Sequence, residues 1–124
     1  MKILGIDFGL KKLGLAISDG KLAEPYAVVR YQNEEKLINH LKGIIKKEGI
    51  EEVIVGVSEG GMGEQSKKFG EKISEFIRTE YQDETLTTQD ANNLAISSGI
   101  SRKKRKSMED AYAASLMLQD YLDR

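Results

Sequence analysis

The sequence predicts an α/β fold in which a mixed central β-sheet of about five strands, the first three antiparallel, is flanked by helices. Three features support this prediction: paired alternating runs at the N-terminus, a wholly apolar run at 53–57 that follows an amphipathic stretch, and later apolar stripes at helical spacing. A length of 124 residues suits a single domain over 1–124.

The first two strands are predicted to form a β-hairpin over residues 2–18. Alternation puts Gly5 and Asp7 on one face of the first strand, and Gly14 and Ala16 on one face of the second. These small side chains leave room for a close approach by another part of the molecule. Because desolvating an unpaired carboxylate costs several kcal/mol, Asp7 at the end of an apolar run requires a cation or donor nearby.

The middle of the chain predicts a third strand, a helix and a fourth strand. The third strand is expected over 26–31, after Pro25, the only proline. A helix from Asn33 to about Glu48 follows, with Gly49 as its stop signal. The run 53–57 is apolar throughout, which is typical of a central strand in a parallel pair reached by a helical crossover.

The second half predicts further helices and a short fifth strand. A glycine-rich loop at 60–63 precedes a helix, and a polar strand is expected over 80–83. Another helix is expected from about Thr88 to 97–99, and the last helix begins near Ser107. The helix after the glycine-rich loop has apolar positions at helical spacing: Phe69, Ile73, Phe76 and Ile77.

Three acidic residues are candidates for one site: Asp7, Glu84 and Asp110. Glu84 follows the fifth strand and, taken alone, is more typical of a solvated loop. Asp110 lies in the first turn of the last helix, where the alternative is a capping box with the Ser107 amide. If the acids converge at one sheet edge, their oxygens suit Mg²⁺ or Mn²⁺, ions that can activate water for phosphodiester hydrolysis.

Basic residues cluster despite a nearly balanced charge of 19 Lys and Arg against 20 Asp and Glu. Contacts from such residues to phosphates give affinity without sequence readout. In isolation the basic run at 102–106 is more typical of a solvated loop, but beside a carboxylate site it favours nucleic-acid binding. The candidates are an uninterrupted run, Arg102, Lys103, Lys104, Arg105 and Lys106, and, more weakly, Lys11 and Lys12 in the hairpin turn.

Composition excludes several classes of chemistry. The chain has no cysteine, which removes disulfides, thiolate catalysis and thiolate-bound zinc. The only histidine, His40, falls off the apolar stripe of its predicted helix, so general-base catalysis by histidine is not expected. Neither a signal peptide nor an apolar stretch of membrane-spanning length is found, and we expect a cytoplasmic protein without a membrane partner.

Four motifs spread along the chain belong together: Gly5–Gly9 with Gly14, Ile17–Asp19, Asp83–Glu84 with Leu86–Thr88, and Asp110–Ala111 with Ala113–Ala114 and Leu118–Asp123. In this order and spacing they resemble the YqgF family, also called Holliday-junction-resolvase-like. The resemblance implies an RNase H-like fold and a nuclease that matures the 5′ end of pre-16S ribosomal RNA. It further implies that Asp7, Glu84 and Asp110 form an acidic metal site, that RNA is favoured over DNA, and that ribosomal precursor particles are partners.

Three features depart from the family pattern. Thr85 stands where the family usually has arginine, and Gly56-Val57-Ser58 stands where it usually has Gly-Leu-Pro. The polar segment 80–83 predicts a shortened fifth strand. These departures keep the candidate acids but leave the effect of Thr85 on activity open.

Other functions remain open at the level of sequence. A Holliday-junction resolvase would be a homodimer, because two symmetric cuts need two sites, whereas a monomer favours RNA trimming. A nucleic-acid-binding module without catalysis would keep the fold. An ATP-binding domain is the weakest alternative: Asp7-Phe8-Gly9 and Gly14 resemble the hairpin that holds nucleotide phosphates in the actin, Hsp70 and sugar-kinase superfamily, but 124 residues supply only one of its two lobes.

Overall fold

The computed structural model describes residues 1–9, 11–57, 61–83 and 108–123. Within these residues the strands and helices are β1 (Ile3–Asp7), β2 (Lys12–Ser18), β3 (Ala23–Arg30), α1 (Glu34–Glu48), β4 (Glu52–Val57), α2 (Gly61–Ile73), β5 (Arg78–Asp83) and α3 (Glu109–Leu122).

The strands form one mixed sheet in the order β3-β2-β1-β4-β5. β1, β2 and β3 pair antiparallel, while β4 runs parallel to both β1 and β5. The predicted mixed sheet with three antiparallel strands is therefore confirmed. We call one end of the sheet the carboxyl edge: β1, β3, β4 and β5 end there, and β2 begins there.

Helices cover both faces of the sheet. α1 and α2 bury one face through Leu37, Leu41, Phe69 and Ile73, which pack against a cluster that contains the even-numbered residues of β1. α3 covers the opposite face, where its apolar side chains meet the odd-numbered residues of β1 and the alternate residues of β2 and β4. This second cluster contains Ile3, Ala16, Ile54, Ala114, Met117 and Leu118.

The boundaries of α1 match the sequence prediction. The Asn33 side-chain oxygen accepts a hydrogen bond from the Lys36 amide at 3.1 Å, which caps the N-terminus. Gly49 ends the helix in the left-handed conformation with φ of 68°, where glycine has no steric penalty.

The third strand begins earlier than predicted, at Ala23, so Pro25 lies inside it. Proline lacks an N–H donor, but β3 is an edge strand and needs fewer ladder bonds than an inner one. The register between β2 and β3 also shifts between Leu15 and Ala16, and Ala16 is the partner of Pro25. The irregularity accommodates the proline.

The second helix was predicted with wrong limits at both ends. Gly61–Gly63 belong to α2 and do not form a loop before it. The helix ends at Ile73, so Phe76 and Ile77 lie beyond it. Phe76 is 38% exposed, and the Lys42 ammonium lies 4.8 Å from its ring centroid. The helical spacing of Phe76 therefore does not reflect a place in the helix.

The fifth strand is not shortened. It begins at Arg78, and its six residues pair in register with all six residues of β4. Its position at the edge of the sheet tolerates polar side chains, which explains why its composition gave a weak signal.

Several predicted features lie outside the described residues: the helix from about Thr88, Glu84, and the basic run 102–106. Among the helices that the structure does describe, none combines the length and the apolar character needed to cross a membrane.

Candidate active site

Asp7 is the last residue of β1 and lies half-buried at the carboxyl edge. The strand alternation that buries Ile3 under α3 puts Asp7 on the same face. Its neighbours in the sheet are Gly14 of β2 and Gly56 of β4. Because neither glycine has a side chain, no neighbour in these adjacent strands crowds the carboxylate.

Gly14 brings the start of α3 onto the sheet. A Cβ atom at Gly14 would overlap the backbone carbonyl of Asp110 and lie 2.8 Å from the Ala111 nitrogen. A Cβ atom at Gly5 would likewise lie 3.0 Å from the Leu118 Cβ atom. The close approach predicted from the small residues of the hairpin is therefore confirmed, and the approaching element is α3.

Asp110 lies in the first turn of α3, and its Oδ2 atom is 3.0 Å from the Lys12 Nζ atom. The residue that caps the helix is Met108, and its side chain makes no capping hydrogen bond. The helix thus begins two residues after the predicted Ser107. The capping-box alternative for Asp110 needs the Ser107 amide, which lies outside the described residues. A carboxylate in the first turn also interacts favourably with the helix dipole.

The structure brings together two of the three predicted acids. Asp7 is the strand partner of Gly14, and the Asp110 backbone lies directly over Gly14. Glu84 lies outside the described residues, although Asp83, which precedes it, ends β5 at the same edge. Within the described ranges no group of three or more His, Asp or Glu side chains is placed to hold a metal ion.

The predicted basic residues divide into three groups. Lys11 is exposed in the hairpin turn. Lys12 forms the ion pair with Asp110. The positions of Arg102, Lys103, Lys104, Arg105 and Lys106 lie outside the described residues.

The donors at this edge fit a divalent metal ion. Asp7 and Asp110 supply carboxylate oxygens, the ligands that Mg²⁺ and Mn²⁺ prefer. A cation, the Lys12 ammonium, already lies beside Asp110 in the structure. Asp7 and Asp110 are therefore the described residues that would hold such an ion.

Sequence reasoning missed Arg30, the exposed last residue of β3. Arg30 is the strand partner of Lys12, so both side chains project from the same face. A cation opposite Lys12 offers its ammonium no attraction, whereas the Asp110 carboxylate does. The place of Arg30 at the end of a strand beside the hairpin turn was the available signal.

Tyr31 holds the turn that follows Asp7. Its hydroxyl donates a 2.6 Å hydrogen bond to the Gly9 carbonyl, and its amide donates to the Lys11 carbonyl at 3.0 Å. Phe8 stacks on Phe69 with ring centroids 4.7 Å apart. Burial, and then the negative charge of Glu34, raise the pKa of Tyr31 above its usual 10.0, so the hydroxyl remains a donor at neutral pH.

We expect Tyr31→Phe to lower the free energy of unfolding by about 1 kcal/mol, the typical net value of one hydrogen bond. The ring and its contact with Phe8 remain in this variant. Urea unfolding followed by circular dichroism measures the effect. An unchanged midpoint and slope would mean that this hydroxyl does not stabilise the turn.

Curated relatives match the chain over its whole length. A Clostridium botulinum protein of strain Alaska E43, assigned as a pre-16S rRNA nuclease, is 36% identical over 134 residues, covering 100% of this chain and 98% of its own. A Clostridium acetobutylicum protein with the same assignment is 39% identical over 133 residues, covering 99% and 98%.

Two solved structures show that the fold is shared with resolvases. The Holliday junction resolvase of fowlpox virus matches with a TM-score of 0.67 at 12% identity, covering 99% of this chain and 98% of its own. Thermus thermophilus RuvC in complex with a Holliday junction matches with a TM-score of 0.61 at 16% identity, covering 99% and 95%. The fold is RNase H-like, as the sequence motifs implied.

A protein-family model also matches the chain over its whole length. The family model described as RuvX, Holliday junction resolvase, matches residues 1–124. The match spans β1 with Asp7 and α3 with Asp110. The chain therefore belongs to the RuvX family, the one that its motifs resemble under the name YqgF.

Proposed function

We propose that this protein is a metal-dependent nuclease that hydrolyses phosphodiester bonds in RNA during maturation of the 5′ end of pre-16S ribosomal RNA. Relatives that match the whole chain are named as pre-16S rRNA nucleases, which supports this substrate. Residues 1–124 act as one domain, in line with the extent of the family match. Ribosomal precursor particles are the proposed partners and the cytoplasm is the proposed location.

The observation that carries the proposal is the meeting of Asp7 and Asp110 at the carboxyl edge. Gly14 is the strand partner of one and lies beneath the backbone of the other. Two carboxylates held on one face by rigid elements, a strand end and a helix start, supply oxygen donors that suit a divalent cation. We propose that Glu84, which follows β5 in the chain, completes the site.

Each residue of the site has a proposed role. Asp7, Glu84 and Asp110 hold Mg²⁺ or Mn²⁺ through oxygen atoms. Such an ion, when bound, lowers the pKa of water and stabilises the charge that develops on a phosphodiester. Lys11 and the run from Arg102 to Lys106 bind the sugar-phosphate backbone and orient the strand without reading its sequence.

A Holliday-junction resolvase is the second candidate. The description of the family model and the fold shared with two resolvases favour it. Resolution requires two symmetric cuts and so two copies of the site. Light scattering separates the candidates, because we expect the RNA nuclease to be a monomer and a resolvase to be a dimer.

Cleavage should require a divalent ion and should be fastest on precursor RNA. The assay compares a pre-16S fragment, single-stranded RNA, duplex DNA and a four-way junction, each with Mg²⁺, with Mn²⁺ or with EDTA. We expect cleavage with either ion and none in EDTA, because the carboxylates alone do not activate water.

The substrate that is cut fastest distinguishes the candidate functions. Preferred cutting of the junction by a dimer would replace the RNA proposal with the resolvase. If no substrate is cut with either ion, while nucleic acid still binds with a strong dependence on salt, the protein is a binding module.

A further inference from the structure

The ion pair between Lys12 and Asp110 joins two residues with different proposed partners. Asp110 belongs to the proposed metal site, whereas a lysine at the start of β2, beside the hairpin turn, would suit phosphate. In the structure the two contact each other at 3.0 Å, and their side chains are 43% and 31% exposed. The ammonium therefore occupies space beside Asp110 that a metal ion would need.

The surroundings favour this orientation of Lys12. Its strand partner is Arg30, so the residue opposite Lys12 in β3 is itself a cation and offers the ammonium no attraction. Gly14, two residues further along β2, brings the Asp110 backbone close to the same strand. Lys12 therefore lies beside an attracting carboxylate, and a metal ion bound at Asp110 would remove that attraction.

We propose that Lys12 is an internal competitor of the metal ion: it neutralises Asp110 in the metal-free protein, leaves when the ion binds, and then contacts the phosphate backbone of the substrate. This inference rests on the proposed function, because it takes Asp110 as a metal ligand. Metal binding thereby frees a second cation beside Arg30, so the site gains affinity for nucleic acid as it becomes loaded.

Metal affinity without substrate tests the competition directly. Isothermal titration of Mn²⁺ into metal-free protein compares wild type with Lys12→Met and Lys12→Arg. A partly exposed ion pair has a modest energy, so we expect Lys12→Met to bind Mn²⁺ about three- to fivefold more tightly. Lys12→Arg keeps the competing charge and should resemble wild type.

Two controls separate competition from a general effect of charge. Lys11→Met removes the same charge from the neighbouring exposed position and should change Mn²⁺ affinity less than Lys12→Met does. In an Asp110→Asn background, adding Lys12→Met should leave the Mn²⁺ affinity equal to that of Asp110→Asn alone, because the ion pair is already gone. Circular dichroism confirms that each variant is folded.

Salt dependence tests the contact with phosphate. Binding of single-stranded RNA is measured against salt concentration in Ca²⁺ and in EDTA. For Lys12→Met we expect the slope to fall by about 0.7 in Ca²⁺, the value for one phosphate contact on a single strand, and to stay unchanged in EDTA. A loss of slope in EDTA as large as in Ca²⁺ would contradict the proposal, because Asp110 would not be restraining Lys12.

The outcomes distinguish this inference from the proposed function. If wild type binds Mn²⁺ and Lys12→Met binds no more tightly, the competition is wrong and the metal site stands. Equal tightening in Lys11→Met also overturns it. If wild type binds no divalent ion at all, the metal site itself is wrong, and both proposals fail together.

Discussion

Replacing Asp7 by asparagine should abolish cleavage while the protein stays folded. Loss of a metal ligand removes several kcal/mol of transition-state stabilisation, which corresponds to a rate decrease of about 10³-fold or more. Asparagine has nearly the same size, and Asp7 is only half-buried at the end of its strand. We therefore expect the free energy of unfolding to change by less than about 1 kcal/mol.

Asp19→Asn is the matched control for this variant. Asp19 lies in the turn after β2, where its Oδ1 atom accepts a hydrogen bond from the Lys21 amide at 3.1 Å. Asparagine can accept the same bond, and the position lies at the opposite end of β2 from Lys12. Full cleavage by both variants would show that Asp7 is not a ligand. Cleavage lost in Asp7→Asn alone, together with weaker Mn²⁺ binding, would support the site.

Much of the fold follows from local patterns in the sequence. The alternation in β1 and β2 correctly separated the face under α1 and α2 from the face under α3. Asn33 and Gly49 marked the two ends of α1. The Asn33 side chain accepts a hydrogen bond from a free amide at the start of the helix, and Gly49 adopts the left-handed conformation that ends it. In these elements the local signal and the tertiary environment agree.

Other elements depend on contacts that local patterns do not encode. Glycines disfavour helix, yet Gly61–Gly63 are helical in α2. The polar segment Arg78–Asp83 is a full strand because it pairs in register with β4. Pairing with β4 overrides propensity in β5, which is why the sequence alone predicted a shortened strand there.

The site itself was predictable in part. An acid that ends an apolar strand identified Asp7, and small residues on its face predicted a close approach. The sequence could not show that the first turn of α3 makes this approach, since residues 14 and 110 are far apart in the chain. The pairing of Lys12 with Asp110 depends on the same long-range packing and could not be read from either motif.

Gly14→Ala is the second variant for which we expect a large effect. The new methyl group would overlap the Asp110 carbonyl, which is backbone and cannot rotate away as a side chain can. The first turn of α3 must then shift. Overpacking of this kind costs about 1–3 kcal/mol of stability. A displacement of about 1 Å at a catalytic group lowers the rate about 10²-fold.

Gly43→Ala is the same chemical change, but we expect it to raise stability where Gly14→Ala lowers it. Gly43 lies within α1, and a Cβ atom there would have no neighbour within 4 Å. Alanine favours helix over glycine, so this variant should gain about 0.5–1 kcal/mol of stability. Its cleavage rate should equal that of wild type, because α1 lies on the face of the sheet away from Asp110.

Comparing the two alanine variants separates a displaced site from a destabilised protein. Both are assayed well below the unfolding temperature of Gly14→Ala, where each is folded by circular dichroism. If Gly14→Ala then cleaves slowly and binds Mn²⁺ weakly, the loss comes from the position of Asp110 and not from unfolding. A wild-type rate in the folded variant would mean that catalysis does not depend on the contact between α3 and β2, and the assignment of Asp110 would have to be abandoned.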